Sequence, residues 1–220
     1  MATGKAHGKN VGPAHLANAE RGARTREKIL ASACEVYSRK GPSNGTLNDV
    51  AAHAGLSRPS VLYHFGSADG LVLATLKAFD ERHRTTFLEQ IPHGGIEELR
   101  ALYDVAREAV EDPASFRFFL LLAADSVDPG HFAHQYVKQR YRAVRGAFAE
   151  ALAASRDAGM IHKDTDVRNL ARQIVAFMDG TTMQWALEPE GMDLVALYEQ
   201  YIEFLIANLS TGKRPRSTES

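Results

Sequence analysis

The stretch TLNDVAAHAGLSRPSVLYHF, residues 46–65, decides the fold of this chain. Thr46 and Asp49 have the spacing of a capping box, in which each side chain bonds the backbone of the other at the start of a helix. Gly55 permits the left-handed backbone of a tight turn, and Ser57 is a good N-cap for a second helix. Two short capped helices joined by a glycine turn form a helix-turn-helix, and the sequence predicts that motif here.

The segments on either side of this motif show the helical period of 3.6 residues, and none shows sustained alternation of apolar and polar residues. We therefore predict an all-α fold with about nine helices. The first is expected to begin after Thr25 and to end at Lys40, and the fourth follows Ser67. The later helices are predicted at 95–111, from Asp112 onward, and at 131–157, 166–187 and 192–209.

The composition is that of a globular protein of 220 residues, with 45% hydrophobic and 24% charged residues. This length fits one large domain or two small ones. Residues 1–22 and 210–220 lack apolar periodicity, and we predict a flexible basic arm and a flexible tail there. Cys34 is the one cysteine, so no disulfide can form within the chain. Without a long apolar run or a secretory signal, a cytoplasmic location and no membrane contact are expected.

Charge is divided unevenly along the chain. Residues 1–65 carry nine Lys and Arg and four Asp and Glu, a balance of +5, whereas the remainder balances at −6. A basic N-terminal part suits contact with a polyanion, although scattered surface charge gives the same total. The second helix of the motif adds polar side chains that packing does not require, and these can donate to phosphates or base edges: Arg58, Ser60, Tyr63 and His64. A helical hairpin inside an ordinary bundle is the alternative interpretation of the same residues.

Residues 24–84 resemble the N-terminal domain of the tetracycline-repressor (TetR) family of bacterial transcription regulators. The most distinctive match is the run LYHF at 62–65, after the turn. Beyond residue 90 the resemblance is weaker, although the stretches 159–166 and 178–191 are similar to a late helix and loop in many members. The other matching positions are Arg26, Ile29, Leu30, Ala33, Gly41, Thr46, Leu47, Val50, Ala51, Ala54, Gly55, Leu56, Ser57 and Leu71.

The resemblance implies a DNA-binding transcriptional regulator, in most members a repressor that binds a palindromic operator on double-stranded DNA as a homodimer. A small apolar or amphipathic effector would release it, and no cofactor is implied. The helix-turn-helix domain would span 23–84, and its fourth helix would lead into a ligand-binding and dimerisation domain at 85–209. The residues predicted to contact DNA are Thr46, Ser57, Arg58, Ser60, Tyr63 and His64, of which Thr46 is almost as well explained as a helix cap alone.

One position departs from the family. Members usually carry a lysine two residues before the position of Gly70, where this chain has Ala68. That lysine commonly touches a phosphate, so one backbone contact is in question, although the exposed amides at the helix N-terminus can still meet a phosphate. By analogy with homeodomain arms, the basic arm with Lys5, Lys9, Arg21 and Arg24 is expected to add charge in the minor groove.

The helix predicted at 166–187 carries two neighbouring apolar stripes, whereas a helix at the surface of a monomer needs one. The second stripe is expected to cover a partner subunit or a ligand, and burial at the centre of a monomer is the alternative. His83, a polar residue on the inward face of the fourth helix, is either a relay or a core histidine. The residues predicted for a dimer interface are Ile174, Phe177, Gly180, Thr181, Tyr201 and Leu205. Those predicted for a ligand pocket, each also compatible with plain core packing, are Tyr103, Phe116, Phe119, Tyr141, Met178 and Trp185.

An enzyme and a protein-interaction module are the competing classes. Residues 41–45 fit the G-x-S-x-G pattern of a small hydrolase, but that nucleophile elbow requires a strand before its serine, and a helix is predicted there. His131 and His134 lie three apart, but no clear third ligand accompanies them, so we predict no metal site. A helical interaction module would not shift a palindromic DNA fragment in a gel, whereas a regulator would.

Overall fold

The computed structural model describes residues 13–84 and 96–212. Within these ranges the chain forms nine α-helices and two short 3-10 helices, and the one β-type pairing is an isolated bridge, which confirms the all-α prediction. The 3-10 helices, Ile96–Ala101 and Pro189–Gly191, precede α5 and α9. The α-helices are α1 (Pro13–Lys40), α2 (Leu47–Ala54), α3 (Arg58–Phe65), α4 (Ala68–Arg84), α5 (Leu102–Glu111), α6 (Pro113–Asp125), α7 (His134–Asp157), α8 (Val167–Leu187) and α9 (Leu194–Leu209).

The predicted caps of the helix-turn-helix are confirmed. Thr46 Oγ1 accepts a hydrogen bond from the Asp49 backbone N–H at 3.2 Å, and Asp49 Oδ2 accepts one from the Thr46 N–H at 3.0 Å. Gly55 ends α2 in the left-handed region, with φ of 62°, and Ser57 Oγ accepts from the Ser60 N–H at 3.3 Å. These local bonds satisfy backbone groups that the ends of α2 and α3 would otherwise leave unpaired.

Helices α1 to α4 form an N-terminal unit, the head, around a shared apolar core. Tyr37 of α1 is fully buried at its centre, together with Val50 of α2 and Val61 of α3. A Cβ at position 45 would lie 2.6 Å from the Tyr37 ring, so Gly45 allows the turn before α2 to pass close to that ring. The apolar stripe of α1 is buried, and its residues are Ile29, Ala33, Val36 and Tyr37.

The predicted start of the first helix after Thr25 is wrong, because α1 begins thirteen residues before Arg26, at Pro13. Proline is favoured in the first helical turn, where its missing N–H would be unpaired in any case. Thr25 lies inside the helix, and its hydroxyl donates to the Arg21 carbonyl at 2.9 Å. Residues 13–22 of the predicted arm are therefore helical, whereas residues 1–12 lie outside the described part of the chain.

The predicted flexible tail is also corrected at its first residues. Ser210 pairs with Ile161 in the isolated β-bridge, and the Thr211 N–H donates to the Met160 carbonyl at 2.8 Å. These bonds attach the end of α9 to the loop between α7 and α8. Residues 213–220 lie outside the described residues.

Helices α5 to α9 form the second unit, the body, and several contacts join it to the head. Phe118 of α6 stacks on Tyr37 of α1 with ring centroids 5.9 Å apart. On α4, Asp80 accepts hydrogen bonds from Arg140 Nε at 2.5 Å and from the Tyr136 hydroxyl at 2.9 Å, both on α7. A shift of α7 relative to α6 therefore acts on the head through α4.

Replacing Tyr37 by phenylalanine is expected to stabilise the protein. The Tyr37 hydroxyl is buried without a hydrogen-bond partner among the described residues, and burial raises the pKa of this phenol. Removing an unpaired buried hydroxyl should raise the free energy of unfolding by about 1 kcal/mol, measured by chemical denaturation.

Tyr198→Phe is the matched control for this prediction. The Tyr198 hydroxyl is equally buried, but it bonds Thr182 Oγ1 at 3.2 Å and the Met178 carbonyl at 3.3 Å. Its loss should lower the free energy of unfolding by about 1 kcal/mol. A drop in stability for both variants would show that Tyr37 has a partner.

Candidate DNA-binding surface and ligand cavity

Helix α3 buries only Val61 fully, and three of its eight residues are exposed. Val61 anchors it in the head with no exposed surface, while Tyr63 is 87% exposed and Arg58 is also exposed. Ser60 and His64 are half-buried, and the His64 ring lies 5.3 Å from that of Tyr63. A large aromatic side chain held out in water by a short, well-capped helix is suited to contact a macromolecular surface.

The two predicted hydroxyl contacts differ in how much of their bonding is used inside the protein. Thr46 Oγ1 accepts from the Asp49 N–H and also donates its proton to Asp49 Oδ2 at 2.7 Å. Ser57 Oγ accepts one bond, and among the described residues no acceptor takes its proton. Ser57 can therefore donate to a phosphate oxygen without losing its cap, whereas Thr46 would first have to break its bond to Asp49.

Two basic side chains of α1 flank the helix-turn-helix, and the sequence analysis did not assign them to it. The Arg26 guanidinium lies 4.7 Å from the centroid of the Phe65 ring at the end of α3. Lys28 Nζ comes within 3.9 Å of the position that a Cβ on Gly55 would occupy, in the turn before α3. Arg26 belongs to the family-like pattern, but only the packing of α1 against the motif shows that both charges lie beside it.

The start of α4, where this chain has Ala68, is capped and exposed. Ser67 Oγ caps the helix by accepting from the Gly70 N–H at 2.9 Å, and residues 66–69 are exposed. A Cβ at position 70 would collide with the Phe65 carbonyl oxygen, so glycine lets α4 start immediately beside the end of α3. The two helices are thereby connected almost directly.

A small, partly open cavity lies in the body, next to α4. Its free volume is about 40 Å³, room for a few water molecules at most. Four of the six predicted pocket residues line it: Phe116, Phe119, Tyr141 and Met178. The lining residues that the sequence analysis did not single out are Phe79, Val105, Arg140, Val144, Val175, Asp179, Thr182 and Tyr198.

The other two predicted pocket residues lie elsewhere. The Tyr103 hydroxyl donates to Glu203 Oε1 at 2.5 Å, which ties α5 to α9 away from the cavity. Trp185 is 7% exposed and belongs to the core, but it does not line the cavity. Tyr103 misses the cavity because the buried stripe of α5 is formed by its neighbours Leu102 and Val105.

The cavity wall contains a small set of polar groups. Arg140 places its guanidinium 4.0 Å from the centroid of the Phe119 ring and bonds Asp80 outside the wall. Desolvation raises the pKa of Asp179, opposed by a hydrogen bond from Tyr141 and by the positive charge of Arg140. Burial also raises the pKa of Tyr198 to about 12. The sequence contains one signal for these groups. Arg140 directly precedes Tyr141, and Asp179 directly follows Met178, so each charged residue adjoins a residue predicted for the pocket.

His83 lies behind the same wall. It is 4% exposed, its ring lies 4.4 Å from that of Phe79 and 5.0 Å from that of Phe116, and its Nδ1 is 2.6 Å from Glu108 Oε2. Its Nε2 is buried and has no hydrogen-bond partner among the described residues. His83 is thus packed between α4, α5 and α6, as either predicted role requires; Phe87, on the same predicted face, lies outside the described residues.

The predicted dimer residues divide into two groups. Ile174 and Leu205 are buried within their own chain, at 0% and 8% exposed, because they fill the core between the body helices. Phe177 and Tyr201 stack on each other at 3.8 Å and are half-buried, as are Gly180 and Thr181. An apolar outer face of α8 and α9 remains exposed, and its residues are Ala176, Met183, Leu187 and Phe204.

The residues considered for enzyme or metal chemistry have structural contacts. Ser43 lies in the turn between α1 and α2, and its hydroxyl donates to Asp125 at 2.8 Å. His131 and His134 both bond Ser126 in the loop between α6 and α7. Within residues 13–84 and 96–212 there is no cluster of three or more His, Cys, Asp or Glu side chains that could hold a metal ion. In the same ranges, no helix has the length and apolar character that crossing a bilayer demands.

An exposed recognition helix on a compact head, joined through α4 to a helical body with a cavity, defines a helix-turn-helix transcriptional regulator. Family models match both parts of the chain: residues 29–75 match the bacterial regulatory proteins of the tetR family, and residues 95–209 match the C-terminal domain of BetI-type transcriptional repressors. The chain therefore belongs to the TetR family. Members of this family bind operator DNA as dimers and respond to small molecules.

Individual relatives agree with this assignment. The HTH-type transcriptional regulator TtgR of Pseudomonas putida is 24% identical over 185 residues, covering 81% of this chain and 88% of its own. The fold is similar to that of the regulator FadR from Bacillus subtilis in complex with stearoyl-CoA, with a TM-score of 0.70, 17% identity and coverage of 83% and 98%. It is also similar to a regulator from Saccharomonospora viridis in complex with choline, with a TM-score of 0.69, 20% identity and coverage of 87% and 100%.

Proposed function

We propose that this protein is a repressor that binds a palindromic operator as a homodimer and is released by a small apolar or amphipathic molecule bound in the body cavity. The observation that carries the proposal is the double role of α4. Its N-terminus follows α3 directly, while Phe79 further along the same helix forms part of the cavity wall. Any ligand that enlarges the cavity must therefore act on the element that positions the recognition helix.

The domain boundaries we propose are a DNA-binding unit at 23–84 and a ligand-binding and dimerisation unit at 85–209. The exposed side chains of α3, with Arg26 and Lys28 beside them, form the DNA-binding surface. Arg58 and Ser60 face the major groove, and Tyr63, Ser57 and His64 bond the backbone. Such a protein would act in the cytoplasm on chromosomal DNA, without an enzymatic activity of its own.

The exposed apolar face of α8 and α9 supports the dimer. Phe204 is 61% exposed and Leu187 is 80% exposed, and apolar side chains of this size are usually covered in a functional assembly. A twofold interface through these helices would fix the spacing of the two recognition helices, which must match half-sites about 34–36 Å apart.

The small volume of the cavity supports release by an effector. Typical ligand pockets have a volume of about 300–1,000 Å³, so a ligand must push the wall outward to enter the space of about 40 Å³ seen here. Phe79 and, behind it, His83 would carry that displacement along α4. The protein would exist in a DNA-binding state and a released state. To change their ratio from 99:1 to 1:99, the ligand must bind the released state about 10⁴-fold more tightly.

Selection of bound DNA from a random duplex pool, followed by a ligand screen for release, tests this function. We expect a palindromic consensus and a gel shift that falls steeply with salt, by about 0.9 in the log–log slope for each neutralised phosphate. Calorimetry with and without operator should then give ligand affinities that differ by the same factor as the DNA affinities. Equal ligand affinity with and without operator would refute release by the ligand, and the protein would then be a DNA-binding protein that is regulated in another way.

Variants of α3 should separate base reading from backbone contact. Arg58→Ala is expected to reduce discrimination at particular base pairs, by about 1–3 kcal/mol if the guanidinium bonds a base edge. Tyr63→Phe should weaken binding to all sequences alike, by about 1 kcal/mol, because one phosphate hydrogen bond is lost. Arg168 is an exposed arginine on α8, and Arg168→Ala is the control. This variant should leave base discrimination and overall DNA affinity unchanged. Full affinity with unchanged preference in both α3 variants would refute the contact assignment.

A further inference from the structure

Helix α1 extends well beyond the core of the head. The helix begins at Pro13, but among its described side chains, which start at Glu20, the first buried one is Ile29. The 16 residues that precede Ile29 in the helix span about 24 Å, at a rise of about 1.5 Å per residue. Residues 20–28 are exposed or half-buried, so packing within the chain does not explain why the helix continues through them.

The contacts of α1 give the direction of this extension. Cys34 Sγ lies 3.3 Å from Ser115 Oγ on α6, so this part of α1 adjoins the body. About two turns nearer the N-terminus, the Arg26 guanidinium lies 4.7 Å from the centroid of the Phe65 ring at the end of α3, and Lys28 adjoins the turn before α3. Helix α1 therefore runs from the body towards the recognition helix, and residues 13–25 continue past it on the side away from the body.

Basic side chains form a stripe along the extension. Arg21, Arg24 and Lys28 are spaced i, i+3 and i+7, which places them on one helix face, and all three are exposed. Glu20 and Glu27 each precede a residue of the stripe by one position, so they lie about 100° around the helix. The ion pair between Glu20 and Arg24 is long, at 3.5 Å, and both side chains are mostly exposed. Such a pair contributes little, so Arg24 can leave it for a stronger anion.

A helix with this stripe suits the DNA backbone better than the floor of a groove. An α-helix with its side chains is about 10–12 Å wide, whereas the minor groove of B-DNA is about 6 Å wide. The helix that carries Arg21 and Arg24 therefore cannot enter the minor groove as an extended arm does. The long side chains of the stripe can still reach phosphates at the edge of the groove, where each contact releases counterions from the DNA.

We propose that residues 13–28 form a second DNA-contact surface, a rigid helical extension that binds the phosphate backbone next to the half-site read by α3, through Arg21, Arg24 and Lys28. This inference rests on the proposed function, because it presupposes operator binding, and it extends the contacts of each subunit beyond the recognised bases. Phosphate contacts carry no direct sequence information, so the flanking duplex adds affinity whatever its sequence.

Salt titrations of operator binding by the full-length protein test the proposal, with the duplex obtained from the DNA selection. The double variant Arg21→Gln, Arg24→Gln removes two charges and keeps residues of good helix propensity. We expect its log–log slope against salt to be less steep by about 3.6, since a dimer loses four phosphate contacts at about 0.9 each. Lys138→Gln combined with Arg142→Gln, two exposed residues on α7, is the control with the same loss of charge and should keep the wild-type slope.

The length of the duplex gives an independent measurement. The wild type should bind an operator with about 10 flanking base pairs on each side, one helical turn, about tenfold more tightly than a duplex trimmed to the two half-sites. The variant of Arg21 and Arg24 should lose most of this advantage, and the control should retain it. An unchanged slope or an unchanged length dependence in that variant would overturn the proposal, while a normal gel shift would still support the proposed function. A wild type for which no operator is found would reject both.

Ala23→Pro tests the rigid helix apart from its charge. Proline inside a helix removes a hydrogen bond and breaks or kinks the helix, and Ala23 is exposed, six residues before Ile29, so the core of the head keeps its contacts. Every basic residue remains in this variant. We expect the same shallower slope and the same loss of length dependence, whereas Ala23→Gln should bind like the wild type. Wild-type binding by Ala23→Pro would mean that the charges act from a flexible arm and would contradict a helical contact surface.

Discussion

Replacing Gly180 by leucine is expected to convert the dimer into monomers while leaving the protomer folded. A Cβ at this position in α8 meets nothing within 4 Å inside the chain, so the larger side chain would point into open space in the monomer. In a twofold interface through α8 the same side chain would be inserted twice. Overpacking costs about 1–3 kcal/mol per site, which corresponds to a dissociation constant raised roughly 30-fold to 10⁴-fold.

Gly146→Leu is the matched control for the dimer prediction. Gly146 is also a helical glycine with nothing within 4 Å of its Cβ position, but it lies on α7. Analytical ultracentrifugation should show a dimer for the control and monomers for Gly180→Leu, whose operator binding should fall in parallel. A wild type that sediments as a monomer at micromolar concentration would refute the interface.

Replacing Phe118 by alanine should have the largest effect on stability. Phe118 is fully buried and stacks on Tyr37, so it joins the body to the head as well as filling the core. Truncation leaves a cavity and removes these contacts, and the free energy of unfolding should fall by about 3–5 kcal/mol. Since a domain is typically stable by about 5–15 kcal/mol, this variant should be near the limit of folding.

Phe132→Ala is the matched control for Phe118→Ala, because it removes the same atoms from a more exposed side chain. Phe132 is 39% exposed in the loop before α7, and its loss should cost less than about 1 kcal/mol. Denaturation must be followed at one protein concentration, because dimer formation contributes to the measured stability. Equal losses in the two variants would mean that the contact between α1 and α6 contributes little.

The features predicted well from the sequence are those that depend on near neighbours in the chain. The caps at Thr46 and Ser57 and the turn at Gly55 follow from residue types at fixed short spacings, and the structure contains all three. The start of α1 was missed because Pro13 to Arg24 carry little apolar periodicity, although the segment is helical and its alanine and charged residues have adequate helix propensity.

The features that could not be predicted depend on which helices meet. Ile174 and Leu205 were assigned to the dimer because an apolar stripe does not show whether it faces the chain's own core or a partner. Arg140 and Asp179 were overlooked for a related reason: a charged residue beside an apolar face is usually solvated, and only the packing of α4 against α7 and α8 encloses them. The position of Tyr103 outside the cavity likewise depends on which turn of α5 faces α6.

The small size of the cavity bears on how fast the protein responds. A ligand cannot enter a space of about 40 Å³ until the surrounding helices separate, and collective motions of that kind take microseconds to milliseconds. Association would then proceed through a minor open state, so its observed rate would stop rising once the ligand is abundant. The delay between the arrival of an inducer and the release of DNA would be set by the protein's own opening rate, and a larger dose would not shorten it.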